Sequence, residues 1–168
     1  NGEIYNYIEL RKELGESQFH TTSDTEVVLR AYKKWGPRCV DRLRGMFAFA
    51  IWDESEGRLF CARDRFGVKP LYYAVVSGTF MCASEPKALL PFLPTIETDT
   101  DALKDYLAFQ FCLAGKTLFR NISELLPGHT LTVQRGVVRS ERYWEVQFQP
   151  DFDHTEQWFT SRLREIVH

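Results

Sequence analysis

Apolar and polar positions recur at helical spacing in the first forty or so residues. Tyr7 to Leu14 predicts a short helix, ended by Gly15. Ser23-Asp24-Thr25-Glu26 has the form of a capping box, with Ser23 at the N-cap and Glu26 three residues on. It opens a helix through Val27, Val28, Leu29, Ala31 and Tyr32, which Gly36-Pro37 stops. Cys39 to Leu43 adds a further helical turn or two.

The period then changes. Met46 to Trp52 is apolar at nearly every position, as in a strand covered on both faces. Arg58 to Ala62 is a second strand, beyond a turn at Asp53 to Gly57. Asp64-Arg65-Phe66-Gly67 turns again. Leu71 to Val76 and Thr79 to Ala83 form a hairpin about Ser77-Gly78, and Leu131 to Gln134 and Val137 to Tyr143 form another about Arg135-Gly136. Between them lie a short helix at Glu85 to Leu90 and a longer one at Asp99 to Phe109, with Leu103, Tyr106 and Leu107 as its apolar stripe. Helices, a run of antiparallel strands and a last hairpin give an α+β class, with sheets sandwiched by helices. Gln147 to His154, with Pro150 and a set of acidic and amide residues, reads as a linker. Thr155 to Val167 reads as an amphipathic helix on Trp158, Phe159, Leu163 and Ile166. The expected division is 1–146 for the main domain and 147–168 for the linker and the first helix of a further one.

Composition narrows the function classes. The 168 residues are 44% hydrophobic and 26% charged, with a formal net charge of -2. That is an ordinary globular balance. It offers no basic surface for nucleic acid, and no apolar run approaches the roughly 20 residues of a membrane-spanning helix. No signal peptide is visible at the start of the sequence. Cys39, Cys61, Cys82 and Cys112 form no C-x-x-C pair and have no histidine at ligand spacing. They read as small hydrophobes in a reducing, cytoplasmic setting. No local base marks one of them as a nucleophile. His20, His129, His154 and His168 have no catalytic partner in the sequence and read as structural or surface residues.

Specific strings carry the chemistry. Asn1-Gly2-Glu3-Ile4-Tyr5-Asn6 resembles the N-G-E-I-Y-N element of class II glutamine amidotransferases, whose domain is an N-terminal-nucleophile hydrolase. Ser23-Asp24-Thr25-Glu26 resembles the S-D-x-E element that follows it. The strings Gly45 to Asp53, Ala62 to Tyr73 and Ala83 to Leu89, with Leu126-Pro127-Gly128-His129, are similar to the asparagine synthetase branch of that family. The resemblance runs from Asn1 to about Trp144. It implies an α-β-β-α sandwich, truncated at its N-terminus in this sequence, with glutamine as substrate and no cofactor in the domain itself.

By that resemblance the Asn1 side-chain amide and the Gly2 N–H stabilise the oxyanion formed when a cysteine thiolate attacks the glutamine amide. Gly lets the backbone approach substrate closely. Asp24 binds the substrate α-ammonium and Glu3 helps hold the glutamine. Met46 matches a residue of the ammonia path, with plain core packing as the alternative. Read without the family, Asn1-Gly2 is a turn dipeptide, Asp24 a helix-start acid favoured by the macrodipole and Glu3 a surface acid.

The nucleophile cysteine and the carboxylate-holding arginine are expected upstream of Asn1. The ATP- and Mg²⁺-using synthetase domain, which amidates aspartate, is expected downstream of His168. The chain alone is therefore expected to be inactive and to self-associate through open strand edges, and a homodimer stays open as an assembly. Three competing readings are a non-catalytic scaffold, an amidotransferase with another acceptor and a glutamine-sensing module.

Overall fold

A computed structural model describes residues 1–167. Two helices lead. α1 (Tyr7–Leu14) buries Leu10 and Leu14 and ends at Gly15, whose φ of 93° suits glycine. α2 (Asp24–Trp35) buries Val27, Val28, Ala31 and Tyr32 along one stripe. The Ser23 hydroxyl caps it by accepting from the Thr25 N–H, and Gly36 ends it. The turns expected after it form a 3₁₀ segment, Gly36–Asp41, that buries Cys39 and Val40.

Eight strands follow the chain as β1 (Gly2–Ile4), β2 (Gly45–Asp53), β3 (Arg58–Arg63), β4 (Tyr72–Val76), β5 (Thr79–Ala83), β6 (Ser123–Glu124), β7 (His129–Gln134) and β8 (Val137–Arg142). They make two antiparallel sheets, one ordered β1-β2-β3-β7-β8 and the other β5-β4-β6.

Residue alternation assigns the layers. Phe47, Ile51, Phe60 and Ala62 of the larger sheet pack against α1 and α2. The opposite face, at Ala48, Cys61 and Leu131, meets Tyr73, Phe80 and Cys82 of the smaller sheet. The far face of the smaller sheet, at Ala74, is covered by Leu89, Leu93 and Ile122. The order is therefore helices, sheet, sheet and a mostly irregular outer layer, which is the expected sandwich. Phe60, wholly buried, stabilises the first interface by about 1.5–3 kcal/mol.

The Arg63–Lys69 turn is tied down from within. Asp64, 1% exposed, accepts from four backbone N–H groups: Phe66 and Val68 on one oxygen, Phe47 and Lys69 on the other. The Arg63 guanidinium donates to the carbonyls of Lys69, Leu125 and Gly67 and pairs with Glu124 at 2.8 Å.

Four expectations are corrected. Trp52 is 63% exposed, so β2 is not covered on both faces along its whole length. Glu85 to Leu90 is not one helix but a pair of 3₁₀ turns, Pro86–Ala88 and Leu90–Phe92. Pro91 has no N–H to continue a helix, and its ring clashes with the preceding turn. α3 (Thr100–Phe109) forms, capped by Asp99. It buries only Ala102 and leaves Leu103, Tyr106 and Leu107 exposed, and none of the three joins a buried cluster among the described residues, because an apolar stripe is covered only where another element packs on it. The capping box is incomplete, because Glu26 bonds His20 and Thr21 rather than Ser23. α4 (Glu156–Val167) also forms and buries no residue. Trp158 and Phe159 pack on each other instead, at 5.1 Å. The expected unit 147–168 reaches His168, which lies outside the described residues.

Candidate active site

β1 sits at the edge of the larger sheet, and its pairing with β2 sets the site. Asn1 and Ala48 exchange both backbone hydrogen bonds, at 3.1 and 2.9 Å, and the Tyr5 N–H donates to the Arg44 carbonyl at 2.7 Å. In an antiparallel ladder bonded and non-bonded pairs alternate. Gly2, opposite Phe47, and Ile4, opposite Gly45, are therefore the non-bonded pairs. Their N–H groups point away from β2, toward the free edge. The Ile4 N–H is taken by Asp24 Oδ2 at 2.9 Å. The Gly2 N–H projects along the same edge and has no acceptor among the described residues.

Two glycines make this pairing possible. A Cβ on Gly2 would lie 2.1 Å from the Met46 carbonyl oxygen, and one on Gly45 would lie 2.1 Å from the Glu3 carbonyl oxygen. Their φ angles of 133° and 153° are also closed to other residues. The two strands thus approach more closely than side chains allow.

Asp24 is the first residue of α2, where the helix N-terminus favours a negative charge. One of its oxygens is committed to Ile4, and the other has no partner among the described residues. Asn1, Gly2, Glu3 and Asp24 border one cavity of about 120 Å³, floored by apolar residues that include Val28 and Phe49. The fold thus gathers four of the five predicted site residues. The fifth, Met46, pairs with Glu3 across the strands but does not line the cavity. The Glu3 carboxylate is exposed and has no ion pair among the described residues. An amide-bearing residue, a backbone N–H and the Asp24 carboxylate beside an apolar floor can bind a polar molecule that carries a cation and a developing negative charge.

The cysteines of this chain are not part of that arrangement. Cys39 and Cys61 are buried, while Cys82 and Cys112 are partly so. Burial pushes the Cys39 thiol up to about 12. The adjacent Cys82 thiol, together with burial, raises that of Cys61. His129 Nδ1 is within 2.8 Å of the Pro127 carbonyl, and His154 is paired with Asp151. His168 lies outside the described residues.

A family model described as "Glutamine amidotransferase domain" matches residues 1–144. The chain belongs to the glutamine amidotransferase domain family. Asparagine synthetase [glutamine-hydrolyzing] 1 of Bacillus subtilis is 42% identical to it over 153 residues, which is 89% of this chain and 24% of that protein. Asparagine synthetase [glutamine-hydrolyzing] 3 of the same organism is 43% identical over 91% of the chain and 26% of its own length. Amidase chyE of Penicillium rubens is 38% identical over 92% of the chain and 23% of its own length. The chain thus spans about a quarter of these relatives. In shape, this amidotransferase domain matches the glutamine phosphoribosylpyrophosphate amidotransferase of B. subtilis solved with ADP and GMP. The TM-score is 0.58 at 24% identity, over 86% of this chain and 28% of that one. That likeness shows a shared α+β sandwich fold.

Sequence reasoning missed the part Asp64 and Arg63 play in ordering this amidotransferase domain. The Asp-Arg-Phe-Gly string signalled only a turn, although a carboxylate two, four and five residues before three open N–H groups is a local signal that could have been read. Glu26 was read only as the third residue of a cap.

Proposed function

We propose that this segment is the glutaminase domain of an asparagine synthetase, releasing ammonia from glutamine for the ATP-dependent amidation of aspartate. The observation that carries the reading is the unclaimed Gly2 N–H on the strand edge that also holds Asp24. A backbone donor fixed in direction, with the Asn1 amide next to it, suits a tetrahedral oxyanion. Asp24 suits the α-ammonium of glutamine, and Glu3 is assigned to helping hold the substrate.

In this reading a cysteine thiolate supplied N-terminal to Asn1 adds to the side-chain amide carbon, and the C–O electrons move to the oxygen that Asn1 and Gly2 stabilise. The proton that the cysteine's own α-amino group takes from the thiol passes to the leaving nitrogen, so collapse expels ammonia and leaves a thioester, which water cleaves to glutamate and the free thiol. Met46, on the face of β2 that Glu3 shares, is assigned to the exit path of the ammonia. The domain division at about residue 146, the following synthetase domain and a cytoplasmic setting belong to the same proposal. No helix of the described residues is long and apolar enough to cross a membrane. ATP and Mg²⁺ belong, in this reading, to the synthetase domain.

The similarity to a protein named an amidase supports a second reading, in which the acceptor is not aspartate. Both readings share the glutaminase step. The test is glutamate and ammonia release by the full-length protein beside its Asp24→Asn variant. A raised KM for glutamine with intact ammonia-driven synthesis is expected. Unchanged glutamine kinetics would remove Asp24 from the site.

A further inference from the structure

The Glu26 carboxylate serves the loop before α2 rather than the helix. It accepts from the His20 N–H at 3.1 Å and from the Thr21 N–H and hydroxyl, each at 2.8 Å. Arg30, one turn further along α2, holds it at 3.2 Å. Arg11 grips the loop from the other side, donating to the Thr21 carbonyl at 2.6 Å while its guanidinium covers Phe19 at 4.3 Å. The Thr21 hydroxyl also accepts from the Ser23 N–H at 3.3 Å, and Ser23 Oγ accepts from the Thr25 N–H at 3.1 Å. A continuous series of polar contacts, Glu26 to Thr21 to Ser23 to Thr25, therefore brackets Asp24 on both sides along the chain.

Asp24 needs such bracketing. One of its oxygens holds β1 through Ile4 and the other is free, so the backbone at residue 24 sets where the free oxygen points. Loop backbone left to solvent is mobile, and Thr21, Thr22 and Ser23 are all exposed. Hydrogen bonds to an ionised carboxylate are stronger than neutral ones. Glu26 is well suited to hold this loop: burial opposes its charge, but the His20 and Thr21 donors and Arg30 outweigh that and bring it down to about 2.

We infer that Glu26 is a positioning residue for substrate recognition: by clamping His20 and Thr21 it aims the free Asp24 oxygen at the substrate α-ammonium. This rests on the assignment of Asp24 to that ammonium. The same carboxylate as a mere fold-stabilising group would leave the choice between substrates unaltered.

The test uses the full-length protein and two substrates, glutamine and glutaramate, which is glutamine without its α-amino group. The quantity read is the ratio of their kcat/KM values for ammonia release. Asp24→Asn calibrates the scale by collapsing the wild-type preference for glutamine. Glu26→Gln is expected to lower that preference by about five- to tenfold, through KM for glutamine, with kcat nearly retained. An equal fall for both substrates would overturn the inference while leaving Asp24 in place. A preference that survives Asp24→Asn would overturn the assignment of Asp24, and the role of Glu26 with it. Should Glu26→Gln fail to fold, Thr21→Val removes one clamp donor and the Ser23 contact without touching the carboxylate. It is expected to shift the preference the same way, and an unaltered preference would overturn the inference.

Discussion

Replacing Asp64 by Asn should cost far more stability than a one-atom change suggests. Each carboxylate oxygen accepts two backbone N–H groups, Phe66 and Val68 on Oδ1 and Phe47 and Lys69 on Oδ2. An amide has one oxygen, so whichever way it is turned, two of the four donors face an NH₂ group. An unsatisfied donor in such a site costs about 1–3 kcal/mol, which gives about 2–6 kcal/mol for the pair. That is a large part of the 5–15 kcal/mol typical of a whole domain. Urea unfolding followed by tryptophan fluorescence measures it, since Trp144 packs on Phe66 at 5.0 Å. The midpoint should fall with little change in slope. Amide hydrogen exchange gives the residue-level check, with either Phe66 and Val68 or Phe47 and Lys69 exchanging faster. A loss under about 1 kcal/mol, with all four amides still protected, would refute the reasoning.

Gly2→Ala should separate β1 from β2, because the new Cβ would meet the Met46 carbonyl oxygen at 2.1 Å. Loss of the paired strand should lower glutaminase kcat/KM by at least about tenfold, and a variant as active as wild type would contradict the close approach. Glu26 is held below its ordinary value of 4.5, at about 2. Its stabilising effect is therefore complete above pH 4.5 and is lost as pH falls toward 2. The stability gap between wild type and Glu26→Gln should be flat at higher pH and close across that window, and a gap that persists at pH 2 would count against the clamp. In timed alkylation of the native chain, partly exposed Cys82 and Cys112 should label before buried Cys39 and Cys61, and prior labelling of Cys39 would contradict its placement under α2.

The parts of the fold legible in the sequence are those whose causes lie close together along the chain. α2 was bounded correctly because Ser23 and Gly36 flank its apolar stripe directly, and both hairpins were found from their Ser-Gly and Arg-Gly turns. β1 was not visible. Asn1-Gly2-Glu3 has little strand propensity, and the segment is extended only because β2, more than forty residues away, pairs with it. The apolar stripe of α3 was real but its partner was assumed: periodicity says which face is apolar, not what covers it.

The site divides in the same way. The resemblance named Asn1, Gly2, Glu3 and Asp24, and the fold brings those four to one cavity. That Asp24 also holds Ile4, and that Gly2 must be glycine for steric reasons, depended on strand register. The roles of Asp64 and Glu26 were hidden because their acceptor oxygens serve backbone groups, which every residue type carries.

The most direct test of the central claim is the kcat of glutamine hydrolysis by the full-length protein and its Asn1→Ala variant, with ammonia-driven product formation measured in the same preparations. If Asn1 donates to the oxyanion, kcat for glutamate release falls by about 10²–10³-fold, while ammonia-driven formation stays at the wild-type level. Glutamate release from the variant at the wild-type rate would show that the cavity beside Gly2 and Asp24 is not where glutamine is cleaved.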